Sequence, residues 1–155
     1  MSNRLQSFDL ESLPGQLPPV TKLFYSGLYY AISFVLIIAG MLKIYDASGL
    51  VSAMQQVVFF NDTFITLTAT FLPLLEVGLA AALLINYHPE LMLGLTAGLF
   101  AIFFAFSIYG LVSGLQGDCG CFGDLAESGF GWAMAVRNLV LFCAAGFLWM
   151  RKSHL

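Results

Sequence analysis

The chain has 155 residues, 59% of them apolar and only 10% charged, with six Lys or Arg against nine Asp or Glu. Water must be faced by something, and a soluble domain carries roughly 25% charged residues, so this composition excludes an ordinary water-soluble enzyme. An aromatic content of 15% excludes a disordered chain, and a net charge of -3 lacks the basic stripe of a nucleic-acid binder.

Counted instead in spans of about 20 apolar residues, the length that crosses a hydrocarbon core, the chain divides readily. Residues 1–22 are a polar leader with Pro14, Pro18 and Pro19. The first charge-free run, 23–42, is bounded by Lys22 and Lys43. It begins too late and is too long for a secretory signal, so it is expected to stay uncleaved. In the loop that follows, Val51, Met54, Val57 and Val58 recur at helical spacing around Gln55 and Gln56. That loop, between the first two spans, is either a short helix lying along the outer membrane interface or an ordinary loop. A second span, 63–85, is interrupted by Pro73 and Glu76, and a turn holding His88 and Pro89 leads to a third, 91–115, with no charge at all. The fourth, 131–150, contains Arg137 and is closed by Arg151 and Lys152 of the short tail 151–155. The fold class is therefore an all-α integral membrane protein, a four-transmembrane-helix bundle over 23–150. Small residues four apart (Gly27 and Ala31, Gly78 and Ala82, Gly94 and Gly98, Gly110 and Gly114) suit close helix approach.

Positive charge sets orientation. Arg4 and Lys22 precede the first span and Arg151 and Lys152 follow the last, whereas the loops after the first and third spans have only Lys43. Both termini are thus expected in the cytoplasm, with the chain in the inner (plasma) membrane and those two loops on the extracytoplasmic side.

The second of these loops carries Gly117-Asp118-Cys119-Gly120-Cys121-Phe122-Gly123-Asp124. Outside the cytoplasm disulfides form and persist. Closing a Cys-x-Cys ring brings two Cα atoms to about 4.4–6.8 Å, which demands a turn that Gly120 permits. So tight a ring is easily reduced, which favours thiol-disulfide exchange by Cys119 and Cys121. The alternatives are a structural staple, half of a zinc site, and cysteines with no joint role. Asp118, Asp124 and Glu127 oppose a reactive thiolate, since neighbouring carboxylates raise a thiol's pKa. Lys43, Arg137 or the start of the fourth helix would have to compensate.

Two charged residues fall inside spans, Glu76 and Arg137. Intramembrane charges are costly and are functional candidates by default. Counted from the outer helix ends at 1.5 Å per residue, Glu76 lies about 20 Å deep and Arg137 about 9 Å deep. Either they line a polar pocket with Lys43, or a protonated Glu76 bonds a carbonyl freed by Pro73 while Arg137 reaches for the headgroups. Asn138 offers a helix-helix hydrogen bond. Cys143 is expected to pack as a small apolar residue, with a relay thiol for the outer pair as the alternative.

Four landmarks resemble those of the MauE branch of the DoxX-like membrane proteins: Ala39-Gly40-Met41-Leu42-Lys43-Ile44 with Asp46, Pro73-Leu74-Leu75-Glu76, Asp118-Cys119-Gly120-Cys121-Phe122-Gly123, and Arg137-Asn138. The resemblance covers about residues 23–150. It implies a four-helix protein associated with extracytoplasmic redox chemistry, in which the cysteine pair works beside a thioredoxin-like partner. The implied task is maturation of a methylamine-dehydrogenase-like protein in methylamine utilisation. Its more distant members imply a link to quinones. A thiol pair needs a second redox partner to turn over, and no haem, flavin or metal motif is visible, so a quinone or a second membrane thiol is the expected electron partner. Two other roles compete with a thiol-disulfide oxidoreductase: a non-catalytic assembly factor or subunit of a quinone-linked complex, and a small transporter using Glu76 and Arg137.

Overall fold

A computed structural model describes residues 19–114 and 132–153. All the regular structure among them is helical: α1 (Pro19–Tyr45), α2 (Ser48–Gln55), α3 (Asp62–Leu84), α4 (Pro89–Ser113) and α5 (Trp132–Ser153). Four of these contain segments long and apolar enough to cross a bilayer, Leu23–Tyr45, Asp62–Leu84, Pro89–Ser113 and Trp132–Arg151. The expected all-α, four-span architecture is present, and the region after the first span does contain a short helix, α2.

Local chemistry fixes the boundaries. Pro19 opens α1, where its fixed φ suits a first turn. Asn61 caps α3 by accepting a hydrogen bond from the Phe64 amide at 2.8 Å, and Asp62 puts a carboxylate in the positive first turn. The turn between α3 and α4 is tight because Asn86 and His88 both take positive φ, 54° and 41°. Asn and His enter that region more readily than most side chains. Pro89 then starts α4, which ends at Gly114 with φ 65°.

The four long helices close a ring in the order α1, α3, α4, α5, with α1 held closely to α3 and α4 to α5. Phe34, Phe71, Ile102 and Val140 are exposed on the outside, as a lipid-facing surface requires. Tyr29, Ile32, Leu36, Leu79, Leu83, Leu93, Phe100 and Leu148 fill the interior. Lipid tails are as apolar as leucine, so close packing and polar contacts hold such helices together rather than burial as such. The Tyr29 hydroxyl donates to the Leu83 carbonyl at 2.5 Å, joining α1 to α3. Tyr25 of α1 stacks on Phe147 of α5 with ring centroids 5.6 Å apart.

On the side that carries α2, α1 ends below its partner α3. A Cβ built at Gly40 would sit 3.1 Å from the Pro73 carbonyl oxygen and 2.7 Å from Val77, so Gly40 lies level with that part of α3. Antiparallel counting from there puts the end of α1 level with Thr70, leaving the first two turns of α3 rising about 12 Å above it. α2 folds back into the resulting notch, where Leu50 and Met54 pack with Ile65 of α3. The buried face of this segment is thus Leu50, Ala53, Met54 and Val57, and Val58 points outward.

The break between α1 and α2 is held by Asp46, whose Oδ1 accepts from the Ser48 amide at 2.8 Å. That backbone hydrogen bond draws the Asp46 carboxyl below its ordinary pKa. A group lowered in the folded state contributes fully above its unfolded value and stops contributing as pH falls through the folded one. Amide hydrogen exchange at Ser48 is therefore expected to stay protected at neutral pH and to lose protection only in strong acid. In Asp46→Ala the protection should be missing already at neutral pH; unchanged exchange in that variant would count against the contact.

Candidate functional site

The densest chemistry among the described residues lies inside the bundle. Lys43 Nζ donates to both carboxylate oxygens of Glu76, at 2.8 and 3.0 Å, and neither side chain has any accessible surface. A third bond runs from Nζ to the Ala39 carbonyl at 3.5 Å, and the ammonium lies 5.3 Å from the centroid of the Phe103 ring. Read from the sequence, Lys43 marks the outer end of the first span; α1 instead continues past it to Tyr45. Because α1 stops short, the last turn of this helix is deep enough to meet Glu76, 14 residues or about 21 Å along α3. Gly40 permits the meeting by letting the two backbones approach.

A second polar contact lies on the other helix pair. Asn138 Nδ2 of α5 donates to Ser107 Oγ of α4 at 2.6 Å and to the Phe103 carbonyl at 3.5 Å, while Ser107 Oγ donates to that same carbonyl at 2.7 Å. Phe103 therefore joins the two: its ring faces Lys43 and its carbonyl receives Ser107 and Asn138. The helix-helix hydrogen bond expected of Asn138 is made. Ser107 and Phe103 escape a search for charged residues, and the only signal for Ser107 is a small hydroxyl within an otherwise apolar run.

Of the three residues expected to share a pocket, Lys43 and Glu76 are in contact and Arg137 is not part of the pair. Arg137 is half-buried on α5, next to Asn138. Glu76 is held by an ammonium group, not by a backbone carbonyl freed by Pro73. Cys143, expected to pack inside, is exposed on the side of α5 away from the interior, and it is a free thiol. The buried face of α5 carries Met134, Asn138, Ala145 and Leu148, and Cys143 lies off that face. Cys119 and Cys121 lie outside the described residues. They belong to the stretch that joins Ser113 of α4 to Trp132 of α5, the helix ends on the same side of the bundle as α2.

Between α1, α2 and α3 lies a cleft of about 600 Å³ with Lys43 and Pro73 at one end and Gln55 and Asp62 at the other. Thr66 and Thr70 line it from α3 and Val51 from α2.

An ion pair sealed within four apolar spanning helices defines a multi-pass membrane protein with a polar core. The chain belongs to the family described as methylamine utilisation protein MauE, whose family model matches residues 21–151. No curated protein and no solved structure matches it.

Proposed function

We propose that this MauE-family membrane protein uses Cys119 and Cys121 to exchange two electrons with a thioredoxin-like partner outside the cytoplasm, in support of maturation of a methylamine-dehydrogenase-like protein. The observation that carries this reading is the Cys119-Gly120-Cys121 pair itself, flanked by Gly117 and Gly123, within a match to a family tied to methylamine utilisation. The proposed orientation puts α2 and the cysteine segment on the extracytoplasmic face. In its support, Lys43 is withdrawn into the core and neither 46–61 nor 114–131 contains a Lys or Arg.

In the exchange, the thiolate of one cysteine attacks a sulfur of the partner's disulfide, and the partner's other sulfur leaves as a thiolate and takes up a proton. The second cysteine, losing its own proton, then attacks the mixed disulfide. The pair ends oxidised and the partner ends as a dithiol, two electrons and two protons having moved; the same steps reversed reduce the pair. Turnover needs a second redox partner. A quinone would need hydrogen-bond donors for its carbonyl oxygens, and among the described residues Lys43 and the two cleft threonines are already engaged. Lys43 Nζ already points at Glu76 and Ala39, and the Thr66 and Thr70 hydroxyls donate to their own helix. A second membrane thiol-disulfide protein fills the role in this reading.

Cys119→Ser and Cys121→Ser are each expected to abolish complementation of a strain lacking its own family member. One of them should accumulate a mixed disulfide that a reductant releases. Full complementation by both variants would overturn the proposal, and a wild-type pair that stays permanently oxidised or permanently free would assign the loop to docking instead.

A further inference from the structure

We infer that the cleft between α1, α2 and α3 is a lipid-binding site that holds one acyl chain of a phospholipid, with an ethanolamine headgroup at Asp62 and Gln55. This site is separate from the cysteine pair, and the inference stands or falls independently of the redox reading.

The lining of the cleft carries the case. α1 and α3 touch at Gly40, where an added Cβ would meet Val77 at 2.7 Å, and on the α2 side of that contact they enclose a space of about 600 Å³. Its wall is mainly hydrocarbon, from Ile44, Ala47, Val51, Ile65, Ala69 and Leu74. Lys43 brings no open charge to it, since its ammonium is bonded to Glu76 and its side chain has no accessible surface. The Thr66 and Thr70 hydroxyls donate to the Asp62 and Thr66 carbonyls, each at 2.9 Å. A gap left empty would forfeit dispersion contacts along its whole lining. Water enters a cavity only where about two to four polar partners meet it, which the inner part of this wall does not offer. In a bilayer the occupant that remains is an acyl chain.

Access and length agree with that occupant. Ile44 and Leu74 line the cleft and are 52% and 57% exposed, so its side is open and a chain can slip in from the surrounding lipid. From Asp62 to Pro73, the extent of the cleft along α3, the helix rises about 16 Å. One leaflet of a hydrocarbon core about 30 Å thick is about 15 Å. The headgroup follows from the end of the cleft nearest α2, where Asp62 and Gln55 are both exposed. Residues 46–61 hold no Lys or Arg, so among the described residues this end offers a carboxylate and no cation. An anionic head would be repelled there, and a choline head has no N–H to donate. An ethanolamine ammonium, with three N–H donors like that of lysine, makes charge-assisted hydrogen bonds to the Asp62 carboxylate and meets the Gln55 carbonyl beside it. The bound chain then ties α2 to α1 and α3, adding to the packing of Leu50 and Met54 on Ile65.

The test uses the full chain, reconstituted in vesicles of equal parts phosphatidylethanolamine, phosphatidylglycerol and phosphatidylcholine. The protein is then extracted in mild detergent, stripped of lipid in steps and weighed by native mass spectrometry. The last lipid to leave the wild type should be a single phosphatidylethanolamine per chain. Ala69→Phe and Thr70→Phe each put a ring into the cleft and should lose it, whereas Leu67→Phe, on an exposed part of α3 that does not line the cleft, should keep it. Circular dichroism melts report whether each variant is folded; Thr70 is exposed, so its variant carries the comparison if Ala69→Phe does not fold. Asp62→Asn should keep a bound lipid and hold the three classes about equally. A wild type that sheds all its lipid together, or a last lipid that persists in the folded ring variants, would overturn the site. Retention of phosphatidylglycerol or phosphatidylcholine in preference, or an ethanolamine preference unchanged in Asp62→Asn, would overturn the headgroup assignment.

Discussion

Glu76→Ala should lose about 3–5 kcal/mol of bundle stability, the cost of stranding the buried Lys43 ammonium without its partner. The expected result is a chain that aggregates or melts far below the wild type in detergent. Lys43→Met combined with Glu76→Leu removes both charges and leaves apolar side chains of similar size. Replacing a buried ion pair in this way is often neutral or stabilising, so the double variant should recover most of the loss. The comparison also separates two uses of the pair. If it is only structural, the double variant should complement a strain lacking its own family member. If the Glu76 carboxyl is needed for function, the double variant should fold and still fail. A double variant no more stable than Glu76→Ala would mean that the neighbouring residues hold the pair for reasons other than its charges.

The second large effect is expected at Gly40. An added methyl would meet Val77 at 2.7 Å, the Pro73 carbonyl at 3.1 Å and the Glu76 Cβ at 3.2 Å. A branched valine side chain and two groups fixed to the α3 backbone have little room to give, so α1 would have to move away from α3. Overpacking of this kind costs about 1–3 kcal/mol, and here it also pulls Lys43 away from Glu76. Gly40→Ala should lower the melting temperature clearly, and Gly40→Val more so. Gly27→Ala and Gly78→Ala, where an added methyl meets nothing within 4 Å, should be neutral or slightly stabilising, since glycine costs a helix about 0.5–1 kcal/mol relative to alanine. Equal effects at all three positions would show that the α1–α3 crossing is not as close as the structure has it.

These glycines illustrate what could be read in advance. Spans of 20 or more apolar residues impose a bundle whatever their partners, so four crossings follow from hydropathy alone. Spacing of small residues does not say which glycine touches a neighbour: Gly27, Gly78 and Gly98 have open space beside them, and Gly94 faces the movable side chain of Trp149. The true close crossing, Gly40, has no partner at the four-residue interval. Glu76 was recognisable as a charge in lipid, but its partner was not. Counting depth from the first charged residue after a span assumes that helix ends lie level, and here α1 ends about 12 Å below α3. Arg137 drew notice by the same logic as Glu76 and turned out not to be its partner. Cys143 was misplaced because it was judged by residue type alone, whereas buried Asn138 marks the inner face of α5 and Cys143 is off it.

Lys43 and Glu76 are separated by 33 positions in the chain. Synthesis runs at about 5–20 residues per second, so a ribosome delivers Lys43 roughly 2–7 s before the carboxylate that neutralises it. Lys43 lies in the last turn of α1, and a lysine near a helix end can snorkel to the headgroups. During that interval the last turn of α1 is expected to stay at the headgroups, Lys43 becoming buried only once α3 supplies Glu76. The membrane seat of the first helix is thus completed by the third, and the order of manufacture is built into the position of a single lysine.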